Sequence, residues 1–126
     1  MIYSTKNIRV RVIRERKAKK QFATFSLNSC GGTICSLSAG CVSSGGLTTR
    51  RAILQYDSDT NILSVIPTLD TDRITTVTLT RANTSGSGRS ISVTGFFNYA
   101  GLSVKLGRYL AKGTPDGVEI YLNAKL

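Results

Sequence analysis

The stretch Arg51-Ala52-Ile53-Leu54-Gln55-Tyr56-Asp57-Ser58-Asp59-Thr60-Asn61-Ile62-Leu63-Ser64-Val65-Ile66-Pro67 decides the fold class. Arg51 to Tyr56 and Ile62 to Ile66 are short apolar, β-branched runs of strand type. Between them lie five short polar residues, Asp57 to Asn61, whose side chains hydrogen-bond turn backbone and tolerate left-handed conformations. The two runs therefore make a hairpin. Pro67 has no N–H to donate, so it ends the second strand or lies at a sheet edge.

The same signals recur along the chain. Arg108 to Lys112 and Val118 to Leu122 flank Gly113-Thr114-Pro115-Asp116-Gly117, a Pro-Asp-Gly turn that predicts another hairpin. Ile74 to Arg81 reads as a long edge strand with Val77 and Leu79 on one face and Thr76, Thr78 and Thr80 on the wet face, and Arg89 to Val93 as a short strand. Near the start, Ile8, Val10 and Val12 alternate with Arg9 and Arg11. Residues 14–20 then read as a solvated hairpin tip and Phe22 to Leu27 as the returning strand. Thr94 or Ser92 is placed to cap a short helix containing Phe96, Phe97 and Tyr99, which Gly101 ends in a left-handed conformation. Residues 29–46 are rich in glycine, serine and cysteine and fit either a mobile loop or a short helix around Ser36 to Val42. The expected class is α+β and mostly β: two or three hairpins in a twisted antiparallel sheet with one short helix. It divides residues 1–126, as a single domain, into a basic N-terminal hairpin (1–28), a Gly/Ser/Cys-rich loop (29–49) and a hairpin-helix-hairpin unit (50–126).

Charge is segregated on this framework. The 126 residues hold 17 Lys and Arg against 7 Asp and Glu, a net charge of +10, with no His and no Trp. The missing histidine excludes a His-dependent triad, a His-ligated zinc and a His proton shuttle. Lys6, Arg9, Arg11, Arg14, Arg16, Lys17, Lys19 and Lys20 crowd the first twenty residues beside one acid, Glu15, whereas Gln21 to Thr49 has no charged residue. Such an excess repels itself and serves either solubility or an anionic partner, of which nucleic acid is the commonest. No apolar run reaches the length that spans a bilayer, so no membrane partner and a cytoplasmic location are expected.

The other motifs carry less chemistry. Asp57-x-Asp59-x-Asn61 imitates the opening of a calcium loop, but Ile62 replaces the required glycine and Thr68 the bidentate acid. Asp57, Asp59, Asp70 and Asp72 could supply two-metal nuclease carboxylates only if folding gathered them. Cys30, Cys35 and Cys41 are odd in number and lack C-x-x-C spacing, which suits reduced thiols rather than a disulfide set or zinc. Thr84 to Ser90 could nest an anion without Walker A spacing. No enzyme activity, cofactor or metal site is expected.

Tyr56-Asp57-Ser58-Asp59-Thr60-Asn61, Ile66-Pro67, Ser90 to Gly101 and Gly107-Arg108-Tyr109 together resemble a set of small, largely uncharacterised prokaryotic and viral domains, over residues 50–122. The glycine- and cysteine-rich segment departs from that pattern. In outline, a basic curved sheet with one helix is also similar to the positive-cofactor and whirly families. That resemblance implies single-stranded DNA binding by dimers or higher oligomers, although fold does not fix function.

The resulting expectation is sequence-tolerant nucleic-acid binding, to single-stranded DNA foremost, in phage or microbial replication, recombination or transcription control. Arg9, Arg11, Arg14, Arg16, Lys17, Lys19 and Lys20 would meet the phosphate backbone. Arg108 and its neighbour Tyr109 would contribute stacking; Tyr3, Phe22, Phe25, Tyr56 and Tyr121 are the other aromatic candidates. A homo-oligomer is expected, because a long edge strand invites pairing with a second copy. Two alternatives stand beside this: a structural or assembly subunit, and a small basic viral regulator docking on an acidic host protein.

Overall fold

The computed structural model describes residues 20–72, 75–81 and 88–126. Among them are nine strands: β1 (Phe22–Leu27), β2 (Thr33–Leu37), β3 (Arg51–Asp57), β4 (Ile62–Thr68), β5 (Val77–Thr78), β6 (Thr80–Arg81), β7 (Arg89–Ser92), β8 (Gly107–Thr114) and β9 (Gly117–Lys125). Two helices accompany them, α1 (Ala39–Ser44) and α2 (Thr94–Ala100). All ladders are antiparallel, in the order β5-β3-β4-β9-β8-β1-β2-β7-β6. The class is mostly β as expected, but the two or three hairpins become one larger sheet that nearly closes on itself.

Closure comes from the threonine-rich segment. β5 pairs with β3, Leu79 N–H donates to Arg50 C=O at 2.8 Å, and β6 pairs with β7. A single run, Val77 to Arg81, thus ends the sheet on both sides. The expected long edge strand at Ile74 to Arg81 is corrected to two two-residue strands, and Ile74 lies outside the described residues. These two short strands are the terminal strands of the sheet, each paired on one side only. The expected alternation holds: Val77 and the buried Leu79 face in, Thr78 and Thr80 face out. Thr76, expected on the wet face, is instead buried. Its hydroxyl lies between Arg51 Nε and the carbonyl oxygen of Asp72.

Both expected hairpins are present. In the first, Asp57 Oδ1 accepts the Asp59 N–H at 2.9 Å and Asn61 takes φ +57°, so the polar run serves the turn. Pro67 pairs with Ala52, but β9 accompanies β4 only from Ile62 to Val65; the proline therefore lies where one side of β4 has no ladder to feed. In the second, the β8–β9 register shifts between Tyr109 and Ala111, whose partners are Lys125 and Ile120. Such a bulge bends a strand and raises its twist, which favours closure.

Of the two readings of the Gly/Ser/Cys-rich segment, the loop is corrected, and the short helix expected around Ser36 to Val42 is met in part by α1. β2 occupies Thr33–Leu37, and α1 follows with Ser38 as its N-cap, the hydroxyl accepting the Cys41 N–H at 3.4 Å. The lack of charge in this segment now has a physical cause. Cys35, Leu37, Cys41, Val42 and Leu47 are buried, joining Phe25, Leu63, Val65, Ile91, Val118 and Ile120 in the core. α1 lies against the β8–β9 hairpin at glycine contacts. A Cβ on Gly113 would meet Ser44 Cβ at 2.4 Å and Gly45 N at 2.5 Å. α2 is the helix expected near Phe97, ended by Gly101 at φ +66°. Its N-cap is Val93, however, with no side-chain cap; the Thr94 hydroxyl instead accepts the Thr33 N–H at 2.8 Å, joining α2 to β2. The described part of the expected N-terminal hairpin is β1, which is hydrogen-bonded on one side to β2 and on the other to β8.

Three stability measurements check this packing. Gly113→Ala should cost about 1–3 kcal/mol in urea unfolding, because α1 must move. Gly95→Ala, where an added methyl meets nothing, should be neutral or stabilising by up to about 1 kcal/mol. Burial pushes the Cys35 thiol up from 9.0 to about 12, with the neighbouring Cys41 adding to it. The unfolded chain therefore loses this proton first as pH rises. Stability should decline between pH 9 and about 12, and the decline should be shallower in Cys35→Ala.

Candidate functional site

The root of the basic N-terminal segment is held rigidly. The Ser38 hydroxyl accepts the Phe22 N–H at 3.1 Å and donates to the Lys20 carbonyl at 3.0 Å. Gln21 Oε1 accepts the Gly113 N–H at 2.6 Å, and Cys41 Sγ–H donates to the Phe22 carbonyl at 3.7 Å. One serine thus caps α1 and fixes the chain where it enters β1. Lys20 is exposed at this point. Arg9, Arg11, Arg14, Arg16, Lys17 and Lys19 lie outside the described residues, as does Tyr3.

Immediately after Lys20, the half-buried Phe22 carries the guanidinium of Arg108, whose Cζ sits 4.1 Å from the ring centroid. Strand geometry explains the pair. β1 and β8 are neighbours, with Thr24 opposite Arg108 and Phe22 opposite Leu110, so the two side chains meet diagonally on the outer face. An arginine over an aromatic face contributes about 0.5–1 kcal/mol at an exposed site.

Tyr109 does not share that face. Successive strand residues point to opposite sides, so Arg108 outside means Tyr109 inside. Its ring is 3 % exposed and meets Phe25 edge-on at 5.3 Å, while its hydroxyl donates to the Lys105 carbonyl at 2.7 Å. The expectation of Tyr109 as a stacking contributor is corrected accordingly. Phe25 is buried as well, against Phe97 at 5.8 Å. Tyr56 donates its hydroxyl to Asn61 Oδ1 and Tyr121 to Glu119 Oε1, both half-buried. Tyr121 is pushed up by burial, with the Glu119 carboxylate adding to it.

From Arg108, one outward row continues across the sheet: Thr24 on β1, Ser36 on β2, Ser90 on β7 and Thr80 on β6. The Thr80 hydroxyl donates to the Ser90 carbonyl at 3.1 Å. This row carries no acid.

The carboxylates lie elsewhere. Asp57 ends β3 and Asp59 sits in the β3–β4 turn, whereas Asp70 and Asp72 follow the far end of β4, a strand of seven residues or roughly 20 Å away. They do not converge on one cleft. No group of three or more metal-ligating side chains occurs among the described residues, and no helix there is long and apolar enough to cross a membrane. Cys30 is exposed, and Cys35 and Cys41 are buried as free thiols.

Comparison of the chain with family models, curated proteins and solved structures finds no match.

The opposite placements of Arg108 and Tyr109 can be measured. Tyr109→Ala should cost about 3–5 kcal/mol in chemical denaturation, as an emptied aromatic core site does. Arg108→Ala should cost no more than about 1 kcal/mol, the scale of an exposed cation–π contact.

Proposed function

We propose that this protein binds nucleic acid without sequence selection, single-stranded DNA foremost, through the basic N-terminal segment and the outer sheet face that begins at Phe22 and Arg108. The observation that carries this reading is the stacked Phe22–Arg108 pair beside Lys20, two residues beyond the end of the cationic run. An aromatic face presents a surface on which any base can stack, for about 1–3 kcal/mol per base, and a planar guanidinium extends it. Lysines and arginines ahead of it in sequence supply phosphate contacts.

The outward row of Thr24, Ser36, Ser90 and Thr80 supports the same reading. It adds small polar side chains of the kind that contact phosphate and sugar, over about 19 Å from Arg108 to Thr80 at the usual strand spacing. Acids, which would repel a strand, are missing from that row. Phosphate contacts give affinity without reading sequence, which is why the binding is sequence-tolerant.

A salt-titrated gel shift with a labelled deoxythymidine oligonucleotide tests the proposal. Affinity should fall steeply with salt, and replacing Lys17, Lys19 and Lys20 by alanine should flatten the log–log slope by up to about 2, at about 0.7 per single-strand contact. Phe22→Ala should weaken binding about tenfold without changing the slope, since stacking releases no counterion. Equal retention at low and high salt, or no retention at either, refutes the assignment.

A further inference from the structure

At the seam where the sheet closes there is a cleft of about 510 Å³, lined by Arg50, Arg51, Thr68, Asp70, Thr71 and Thr78 together with Leu69. Arg51 is the half-buried cation in it. Its Nε donates to the Thr76 hydroxyl, Nη1 to the Thr78 hydroxyl at 2.8 Å, and Nη2 to the Thr76 carbonyl at 3.0 Å. Every acceptor is neutral. Among the described residues no carboxylate pairs with this guanidinium. A partly desolvated cation without a counter-charge is costly, and the cost falls when an anion joins it.

The geometry also leaves donors for such an anion. A guanidinium has five N–H groups, and three are used, leaving one on each terminal nitrogen. Three threonine contacts hold the plane in place, so little side-chain entropy remains to be lost on binding. Arg50 is exposed at the same cleft, and Thr68, Thr71 and Thr78 add hydroxyls. Asp70 is the one acid in the lining; its Oδ1 accepts the Asp72 N–H at 3.0 Å within its own loop.

We propose that the Arg50–Arg51 cleft is a binding site for a phosphate group, either of a nucleic-acid backbone or of a free phosphate compound. Arg51 supplies the oriented guanidinium, Arg50 a second cation, and the threonines neutral donors. The site does not depend on the nucleic-acid reading of the Phe22 face.

Amide shifts of the full-length protein, followed by NMR during titration with inorganic phosphate and separately with a deoxythymidine oligonucleotide, test it. Phosphate should move the amides of Thr68 to Thr71 and of Thr78 in a saturable way. Arg51→Ala opens the seam and is a poor probe, so the variants are at exposed positions. Arg50→Glu should weaken phosphate about tenfold, and Asp70→Asn should tighten it several-fold by removing like charge. A purely structural Arg51 predicts neither change. If the phosphate belongs to a strand, the oligonucleotide saturates the same amides at lower concentration than inorganic phosphate. If it belongs to a free compound, the oligonucleotide leaves them unmoved; either result supports the site. Unmoved cleft amides with both probes overturn the proposal, even where the oligonucleotide still shifts amides near Phe22. Saturable phosphate shifts in a protein that retains no oligonucleotide overturn only the nucleic-acid reading.

Discussion

The constraint on which this molecule depends is the double pairing of one short run of chain. Val77 to Arg81 hydrogen-bonds to β3 at one end of the sheet and to β7 at the other. A sheet with free edges presents unpaired N–H and C=O groups, and this pairing covers part of both edges, at Arg51 and Ala52 of β3 and at Arg89 and Ser90 of β7. It also makes an inside and an outside. With Val77 and Leu79 turned inward, Thr78 and Thr80 come out on the surface. Arg51 fastens the seam by gripping Thr76 and Thr78, and the cleft beside it is a by-product of the closure.

Packing around α1 couples this barrel-like sheet to the start of the chain. The helix is six residues long and has no charged side chain, so propensity and dipole effects contribute little to it. Its place is set by the Ser38 cap, by burial of Cys41 and Val42, and by close approach to Gly113. Because the Ser38 hydroxyl also binds the backbone at Lys20 and Phe22, the point where the cationic segment joins the sheet is fixed by core packing. The candidate surface therefore has a rigid origin: Lys20 emerges beside an aromatic ring already covered on one face by a guanidinium.

The charge distribution gives that surface its character. Of the basic residues, the described part holds Lys20, Arg50, Arg51, Arg81, Arg89, Lys105, Arg108, Lys112 and Lys125, against six acids, so most of the net charge of +10 resides in the segment ahead of β1. On the sheet itself the acids collect in turns and on β9, away from the row that leads from Arg108 to Thr80. The two arginines singled out differ in kind. Arg108 covers an apolar ring from outside, while Arg51 is half-buried in a hydrogen-bonded seam, where no carboxylate among the described residues pairs with it.

The sequence by itself determined the local elements whose signals are local. Apolar β-branched runs located β3 and β4, the Pro-Asp-Gly turn located β8 and β9, short polar side chains placed the turn at Asp57 to Asn61, and a glycine free to take positive φ marked the end of α2. It also carried the facing rule that separates Arg108 from Tyr109, since neighbours on a strand cannot share a side; their adjacency in sequence obscured it. What only the tertiary structure decided are the non-local pairings. That Val77 to Arg81 serves two distant strands, that Thr33–Leu37 is a strand and the uncharged run fills the core, and that Phe22 meets Arg108 all depend on which strands become neighbours. Hydrophobic periodicity specifies the face a strand buries but not the strand it lies beside, because that choice comes from closing the sheet and filling one shared interior.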